Sequence, residues 1–275
     1  IHSSASAGVI ARARPRRAGT RRNSATAHSG VTTMKTSQQD GTRIDEIAED
    51  VYRISTPIPP SAMPGGFTFN QYLVVDASPL LYHSGPRKLF PLVSAAIAAV
   101  LPVRDLRYVS FSHFEADECG ALNDFLTLAP AAEPLCGKIA RMTSVDDVAL
   151  RPARALADGE ELSLGRHTVH WIDTPHLPHA WECGHLFERS TQTLFCGDLF
   201  TQGGHDHRPL TTADILDPSE AMRAKLDYFS QTRRVRELAE KLAATAPRVL
   251  ACMHGAAWEG DGAGLLRELA GRLAA

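Results

Sequence analysis

The sequence has few cysteines, no long apolar run and no internal repeat. Its five cysteines form an odd set without a CxxC pair, whereas a secreted protein would be expected to pair them in disulfides. We therefore expect a reducing, cytoplasmic setting. The longest apolar run, residues 90–103, is interrupted by Pro91 and Pro102 and is too short to span a bilayer. No membrane segment is expected.

Acidic residues are absent from the first 33 residues, which carry six arginines and many Ser, Thr, Ala and Gly residues. This composition is typical of unfolded chain. We predict a disordered basic extension over residues 1–41 and a folded domain over residues 42–275, and Met34 resembles a natural start. An organellar transit segment or a twin-arginine signal would also be rich in arginine, but no apolar segment follows the paired arginines.

The remainder of the chain is acidic. Without the six N-terminal arginines, 23 basic residues face 31 acidic residues, which gives a net charge near −8. Nucleic acid is therefore not an expected partner. Hydrophobic residues make up 44% of the sequence, enough for the core of one large domain or two small ones.

The order of the predicted elements indicates an α/β sandwich. Strands come in two batches, each followed by helices, a pattern that favours two sheets inside and helices outside. Predicted strands cover 51–56, 67–75, 80–83, 106–111, the start of 134–148, a hairpin of 155–164 with 166–173, a hairpin of 184–188 with 193–197, and 248–253. Predicted helices cover 92–101, 121–128, the end of 134–148, 219–229, 232–244 and 262–273.

The stretch SHFEADECG, residues 112–120, directly follows the apolar run 106–111. Alternating residues of an extended segment project to the same side, so His113, Glu115 and Asp117 are expected to converge. Buried carboxylates cost several kcal/mol unless a cation or strong hydrogen bonds compensate them. We therefore interpret the stretch as a metal-binding loop. The alternative is a polar loop that is rich in histidine and acids by chance.

Three further segments place histidine or aspartate just past predicted strands, where α/β folds collect their sites. They are residues 173–184 with His176 and His179, residues 194–200 with Asp198, and residues 251–256 with His254. Singly, each of these residues is more often a capped polar residue than a ligand. Together with the first stretch they predict one shared site.

The four segments resemble the metallo-β-lactamase superfamily, whose motif order is HxHxDH, His, Asp, His; the resemblance covers about residue 45 to the C-terminus. In the first motif, Glu115 stands where the hydrolases carry a second histidine. This looks like the flavodiiron proteins and their stand-alone relatives, the oxygen-binding di-iron proteins, whose HxExD loop binds iron. The resemblance implies the αββα sandwich of the metallo-β-lactamase fold.

The resemblance also implies a role for each candidate ligand. His113, Glu115 and His179 would hold a first metal, Asp117 and His254 a second, and Asp198 would bridge them. His179 is preferred to His176, because the family's ligand closes its proline-containing loop as His179 does. Glu118 departs from the pattern, since a histidine often stands there, so water or Glu118 would complete the second metal. Asp198 and Glu118 are the candidate catalytic residues.

The ligand types favour iron. Three imidazoles and three carboxylates suit Fe(II) and Mn(II) better than a histidine-rich set, which suits zinc. The three carboxylates leave two divalent ions at about +1, which favours a bound anion such as hydroxide or a reduced oxygen species. By the Irving–Williams order, zinc could still occupy the same ligands.

Two functional classes remain open. The first is a non-haem di-iron protein that binds or reduces O2 or NO, or senses oxygen. The second is a metallo-hydrolase in which a metal-bridging hydroxide attacks an ester, lactone or thioester. Glu115 favours the first class. We find no flavodoxin-like domain and no rubredoxin-type CxxC pairs, so we expect no FMN in this chain and an external electron-transfer partner. A homodimer is one option for the assembly. A metal-stabilised structural module ranks last.

Other polar and sulfur-bearing residues lie close to these candidates in sequence. Four cysteines are within a few positions of predicted ligands, and thiolate ligation is the alternative to packing as small buried hydrophobes, which we favour. His205 and His207 are interpreted as loop residues that line or cap the entrance.

Overall fold

The structure, a computed structural model, describes residues 31–274. Within this range, the strands form two sheets. The first contains, in spatial order, β1 (Thr33–Lys35), β2 (Arg43–Ala48), β3 (Val51–Ile58), β4 (Phe67–Val74), β5 (Leu80–Tyr82), β6 (Tyr108–Ser110), β7 (Glu133–Gly137) and β8 (Arg154–Leu156). The second contains β9 (Glu161–Ser163), β10 (Thr168–Asp173), β11 (Gly184–Glu188), β12 (Thr193–Gly197), β13 (Leu210–Thr211), β14 (Val249–Cys252) and β15 (Ala257–Glu259), in the spatial order β13-β15-β14-β12-β11-β10-β9.

Helices connect and cover the sheets. They are α1 (Phe90–Ala98), α2 (Ala116–Cys119), α3 (Leu122–Leu128), α4 (Lys138–Ala140), α5 (Asp146–Val148), α6 (Leu216–Leu226), α7 (Val235–Ala243) and α8 (Gly262–Leu273). Single 3-10 turns lie at Arg87–Leu89 and Val103–Asp105, and a π-helical turn at Arg141–Val145 joins α4 to α5. Among residues 31–274, none of the helices has the length and apolar character needed to cross a bilayer.

Three apolar layers hold the elements together. Between the two sheets lie large buried side chains, among them Tyr72, Tyr82, Trp171 and Phe195. A second cluster packs α1 and α3 onto the outer face of the first sheet, and a third packs α6, α7 and α8 onto the second sheet. The predicted α/β sandwich, with two sheets inside and helices outside, is confirmed.

Strand composition follows from this layering. A strand covered on both faces reads as a continuous apolar run rather than as an alternation, and β12 and β14 are buried along their whole length. In the first sheet, β5 to β8 pair in parallel because helical crossovers connect them. In the second, β12 pairs in parallel with β14. The chain leaves β6, β12 and β14 into the segments that carry the predicted ligands.

Two predicted boundaries are wrong. Residues 155–164 are not one hairpin strand: β8 pairs with β7 in the first sheet, whereas β9 pairs with β10 in the second, and a turn at Gly159 with φ 81° separates them. The chain also folds before residue 42, because β1 pairs with β2, so the predicted extension over 1–41 is too long. Its first 30 residues lie outside the described part of the chain.

Candidate metal centre

The first predicted ligands converge on one point, where imidazole nitrogens and carboxylate oxygens face each other. The Nε2 atoms of His113 and His179 lie 2.8 Å apart, and Glu115 Oε2 lies 3.1 Å from both. Asp198 Oδ2 is 3.5 Å from His179 Nε2 and 3.8 Å from His113 Nε2. We call His113, Glu115 and His179 the outer group.

A second set of donors lies on the other side of Asp198. His254 Nε2 is 3.2 Å from Asp198 Oδ1 and 3.5 Å from Asp117 Oδ2. Glu118 belongs to the same set, since one ligand atom each from Asp117, Glu118 and His254 lies within 4.8 Å of the others. We call these three residues the inner group. Asp198 turns one carboxylate oxygen to each group.

The loop after β6 does not converge by strand alternation, as the sequence had suggested. Residues 112–114 form a bend, in which the Glu115 N–H donates to the carbonyl of His113 over 3.1 Å. Glu115 itself is extended, and α2 begins at Ala116 and carries Asp117 and Glu118 on its first turn. Acidic residues are favoured there by the positive end of the helix. This change of conformation directs Glu115 to the outer group and the two following acids to the inner group.

His179 rather than His176 joins the outer group. His176 is exposed, has φ 67°, and its N–H donates to the carbonyl of Ala180 over 2.8 Å, so it closes the turn. The ring of Tyr228 meets His179 edge-on with centroids 5.9 Å apart. The preference for His179 agrees with this geometry.

Asp198 sits at a tight turn at the end of β12. Gly197 has φ 51°, and a Cβ there would lie 2.7 Å from Ser112 Oγ, so only glycine allows the two segments to approach this closely. The carbonyl of Asp198 accepts hydrogen bonds from Thr201 Oγ1 over 2.8 Å and from Tyr228 Oη over 3.0 Å. These bonds fix the turn and aim the carboxylate between the two groups.

His254 is oriented from β4. Its Nδ1 donates to the carbonyl of Thr68 over 2.8 Å, and Phe67 stacks on its ring at 4.3 Å. The next carbonyl, of Gly255, accepts from Arg53 Nη2 over 2.7 Å and from Asn70 Nδ2 over 2.9 Å. Nε2 of His254 is thereby directed toward Asp198, and it is the ring nitrogen that a metal would use.

Hydrogen bonds and charge interactions between the histidines and carboxylates shift the pKa values in the cluster. Burial alone would lower the pKa of His254, but hydrogen bonds to Asp117 and Asp198 outweigh burial and raise it to about 10. Burial would raise the pKa of Asp198, but His254 and the charges of His113 and His179 hold it below its usual range. Hydrogen bonds from His113 and His179 lower the pKa of Glu115 to about 2.

Glu118 behaves differently. It is fully buried, and burial, followed by the charges of Asp198 and Asp117, raises its pKa well above the usual range. Both of its carboxylate oxygens lack a hydrogen-bond partner. Each unsatisfied buried polar group costs about 1–3 kcal/mol, whereas a divalent cation would satisfy both oxygens. The donor set therefore fits metal ions on both sides of Asp198.

The cysteines do not enter either group. All five are free and buried, and burial raises the pKa of Cys119 and Cys136 to about 12. His207 Nε2 donates to Gly203 within its own loop over 3.0 Å, and His205 is exposed. Both histidines are outside the two candidate metal groups of the described residues.

Sequence reasoning missed the residues that orient the ligands. Ser112, Thr68, Asn70, Arg53 and Tyr228 act through hydrogen bonds to the backbone or to a ring nitrogen. Four of them are far in sequence from the ligand they support, and no spacing rule reveals such contacts. Ser112 could have been found, because it directly precedes His113.

Together, the two-sheet sandwich and the donor cluster at its edge define a protein of the metallo-β-lactamase fold with a candidate binuclear metal centre. Residues 67–255 match the family described as ODP family beta lactamase, and the chain belongs to that family.

The chain is similar to several flavoproteins. It is 26% identical over 159 residues to the putative diflavin flavoprotein A 2 of Nostoc sp. (57% of this chain, 27% of the relative) and 25% identical over 143 residues to the rubredoxin-oxygen oxidoreductase of Megalodesulfovibrio gigas (50% and 35%). The flavodiiron protein of Giardia intestinalis shares the fold, with a TM-score of 0.69 at 22% identity, over 84% of this chain and 59% of that one. This chain thus spans about a third or less of the two relatives' lengths.

Proposed function

We propose that the protein is a non-haem di-iron protein that binds or reduces O2 or NO with electrons from an external donor, or senses oxygen. The observation that carries this proposal is the pair of donor groups on either side of Asp198, with Glu115 in the outer group and Glu118 in the inner one. Asp198 Oδ2 lies 3.5 Å from His179 Nε2, and Asp198 Oδ1 lies 3.2 Å from His254 Nε2. Carboxylate-rich sets mixed with imidazole suit Fe(II) better than the histidine-rich sets that suit zinc. The name of the M. gigas relative, an oxygen oxidoreductase, supports the same chemistry.

In this proposal each group would hold one iron ion. His113, Glu115 and His179 would hold the first ion, Asp117, Glu118 and His254 would hold the second, and Asp198 would contact both. When bound, the two ions supply one-electron redox steps and a position for a diatomic ligand. The protein's own part is to keep both ions in place at fixed separation while their charge changes.

The charge of the ligand set distinguishes oxygen chemistry from hydrolysis. If Glu118 is a ligand, four carboxylates balance two divalent ions. A hydrolase needs a bound hydroxide, whose formation is favoured by excess positive charge at the metals. A centre with no net charge lacks the excess positive charge that favours bound hydroxide, and it suits an uncharged ligand such as O2 or NO. Glu118 is thus the residue that most favours redox chemistry.

The electrons must come in part from elsewhere. Reduction of O2 to two waters takes four electrons, whereas two ferrous ions supply two on going to the ferric state. We therefore propose an external electron-transfer protein as partner. The five free, buried cysteines suit a reducing, cytoplasmic setting in which such a donor would operate.

The test is a stopped-flow experiment with protein loaded anaerobically with Fe(II) and mixed with oxygenated buffer. We expect one rapid oxidation per centre, and turnover only when a reductant is added. Zinc-loaded protein is the matched control and should not consume O2. An iron-loaded protein that ignores both O2 and NO, while cleaving a lactone or thioester faster than free metal does, would overturn the proposal in favour of a hydrolase.

A further inference from the structure

A buried hydrogen-bond chain runs from His113 into the protein, away from the candidate metals. His113 Nδ1 and Ser112 Oγ lie 2.9 Å apart, and Ser112 Oγ lies 3.2 Å from His83 Nε2. All three residues are at most 1% exposed. These hydrogen bonds connect His83, which directly follows β5, to the loop after β6.

With a cation on His113 Nε2, the hydrogen bonds of this chain would take one direction. His113 turns Nε2 to Glu115 and His179. A bound cation would take the lone pair of this nitrogen, which would leave the ring proton on Nδ1. Nδ1–H then donates to Ser112 Oγ, and the single hydroxyl proton of Ser112 is left to donate to His83 Nε2. Burial lowers the pKa of His83 well below its usual range, which keeps its ring neutral and able to accept.

A histidine at position 83 is unfavourable for the stability of the fold. Its backbone has φ 64°, a left-handed conformation that is unfavourable for a non-glycine residue. Its Nδ1 is buried without a hydrogen-bond partner, which is a further cost to folding. Packing of the ring on Tyr82, at 4.3 Å, would be met equally by an apolar side chain. Strain and an unsatisfied polar atom together indicate a role beyond packing.

We propose that His83 is a positioning residue that acts through Ser112 on His113. By accepting from Ser112, His83 commits the hydroxyl to receive the Nδ1 proton of His113. This fixes the tautomer and the rotation of the His113 ring and strengthens Nε2 as a donor, as hydrogen-bonded partners of metal-ligating histidines do. The inference rests on His113 being a metal ligand, which is part of the proposed function, but not on the reaction with oxygen.

The test uses cobalt(II), whose visible absorption reports ligand geometry, on the intact chain freed of metal by a chelator. His83→Leu removes the acceptor, whereas His83→Gln retains an acceptor at similar reach. We expect His83→Leu to weaken cobalt binding about 10–100-fold and to shift the absorption band, and His83→Gln to restore most of both. His176→Gln, in the exposed turn, is the control and should leave both unchanged.

A second comparison separates positioning from general loosening of the fold. If His83 acts only through Ser112, the double variant Ser112→Ala with His83→Leu should bind cobalt no more weakly than Ser112→Ala alone. Additive losses, or a His83→Leu protein with the wild-type band and affinity, would overturn the inference. If His83→Leu does not fold, the His83→Gln and Ser112→Ala proteins carry the test: the former must keep the wild-type band and the latter must lose it.

The outcome can be told apart from failure of the proposed function. If wild-type protein binds no cobalt, or His113→Ala binds it as well as wild type, the metal-centre assignment itself is wrong. If cobalt binding follows the pattern above while the iron-loaded protein ignores O2, only the oxygen chemistry is wrong.

Discussion

The outer and inner groups of the candidate centre differ in their access to solvent. In the outer group, the side chains of Glu115 and His179 are 53% and 21% exposed. In the inner group, Glu118 is fully buried, His254 is 4% exposed and Asp117 is 25% exposed. His113 of the outer group is only 1% exposed. Solvent thus reaches the centre mainly at Glu115, and to a smaller extent at Asp117 and His179.

The two groups also differ in how they are held. His254 is fixed by Thr68 and by the clamp of Arg53 and Asn70 on the following carbonyl, so its position is set by the fold. Among residues 31–274, the Glu115 carboxylate is hydrogen-bonded only to the two imidazoles of its own group. We infer that the fold holds His254 in place before a metal binds, whereas Glu115 depends on the metal for its order. The predictions below test this contrast.

The largest effect is expected at the shared residue. Asp198→Ala removes the carboxylate that offsets repulsion between two cations, so the protein should lose the second metal and most of the first. Elemental analysis after gel filtration measures this directly. Asp206→Ala, in an exposed loop nearby, should keep two metals per chain. Full metal content in Asp198→Ala would show that Asp198 does not bridge.

The next largest effect concerns Glu118. Loss of a partner of a metal ligand already costs about 10–100-fold in affinity, so Glu118→Gln should weaken the second metal by at least this much. After the metal has been removed with a chelator, the free energy of unfolding of the same variant should be about 1 kcal/mol higher than that of the wild type. The reason is that the substitution removes a desolvated acid that lies beside like charges. Glu49→Gln, at the surface, is the control. Unchanged affinity for the second metal would remove Glu118 from the ligand set.

Proton release should come mainly from the inner group. With metal chelated, His254, whose pKa is raised to about 10, and Glu118, whose pKa is also raised, hold protons that a cation must displace. Glu115, with a pKa lowered to about 2, holds none at pH 8. Metal binding in weakly buffered indicator at pH 8 should therefore acidify the solution, and apparent affinity should rise with pH. His254→Gln should release fewer protons than Glu115→Gln.

The same shift has a consequence for stability. The raised pKa of His254 stabilises the chelated protein fully below its ordinary value near 6.5, and this contribution is lost as pH rises through about 10. Denaturant unfolding at pH 6 and pH 10 measures the loss. His254→Gln should remove this part of the pH dependence.

A smaller effect is expected at the exposed end. Glu115→His recreates the histidine-rich set that suits zinc, so the ratio of zinc to iron affinity should rise while total metal content stays near two. Competition between the two ions under anaerobic conditions gives the ratio. An unchanged ratio would show that residue 115 does not set the metal preference.

The sequence predicted the layers better than it predicted the strand pairing. Runs such as β12 and the final helix α8 were found because burial on both faces or on one helical face leaves a clear pattern. Short strands such as β13 and β15 were missed, because two or three residues carry too little pattern. The split of β8 from β9 depended on which sheet each strand joins, a long-range choice that local composition does not encode.

At the site, the predicted ligands do lie together, but the reason given for the first motif was wrong. Alternation failed because α2 begins at Ala116, and this short helix separates Glu115 from Asp117. Residues that orient ligands, such as Arg53 and His83, were not predicted, since their contacts cross between strands far apart in sequence.

The most direct test of the two-group centre is Mössbauer spectroscopy of protein loaded anaerobically with iron-57. The outer group offers two imidazoles and the inner group one, so the irons should differ in environment. We expect two irons per chain and two ferrous quadrupole doublets of equal area, both changed in Asp198→Ala. One iron per chain with a single doublet that is unaffected by Asp198→Ala would contradict the account.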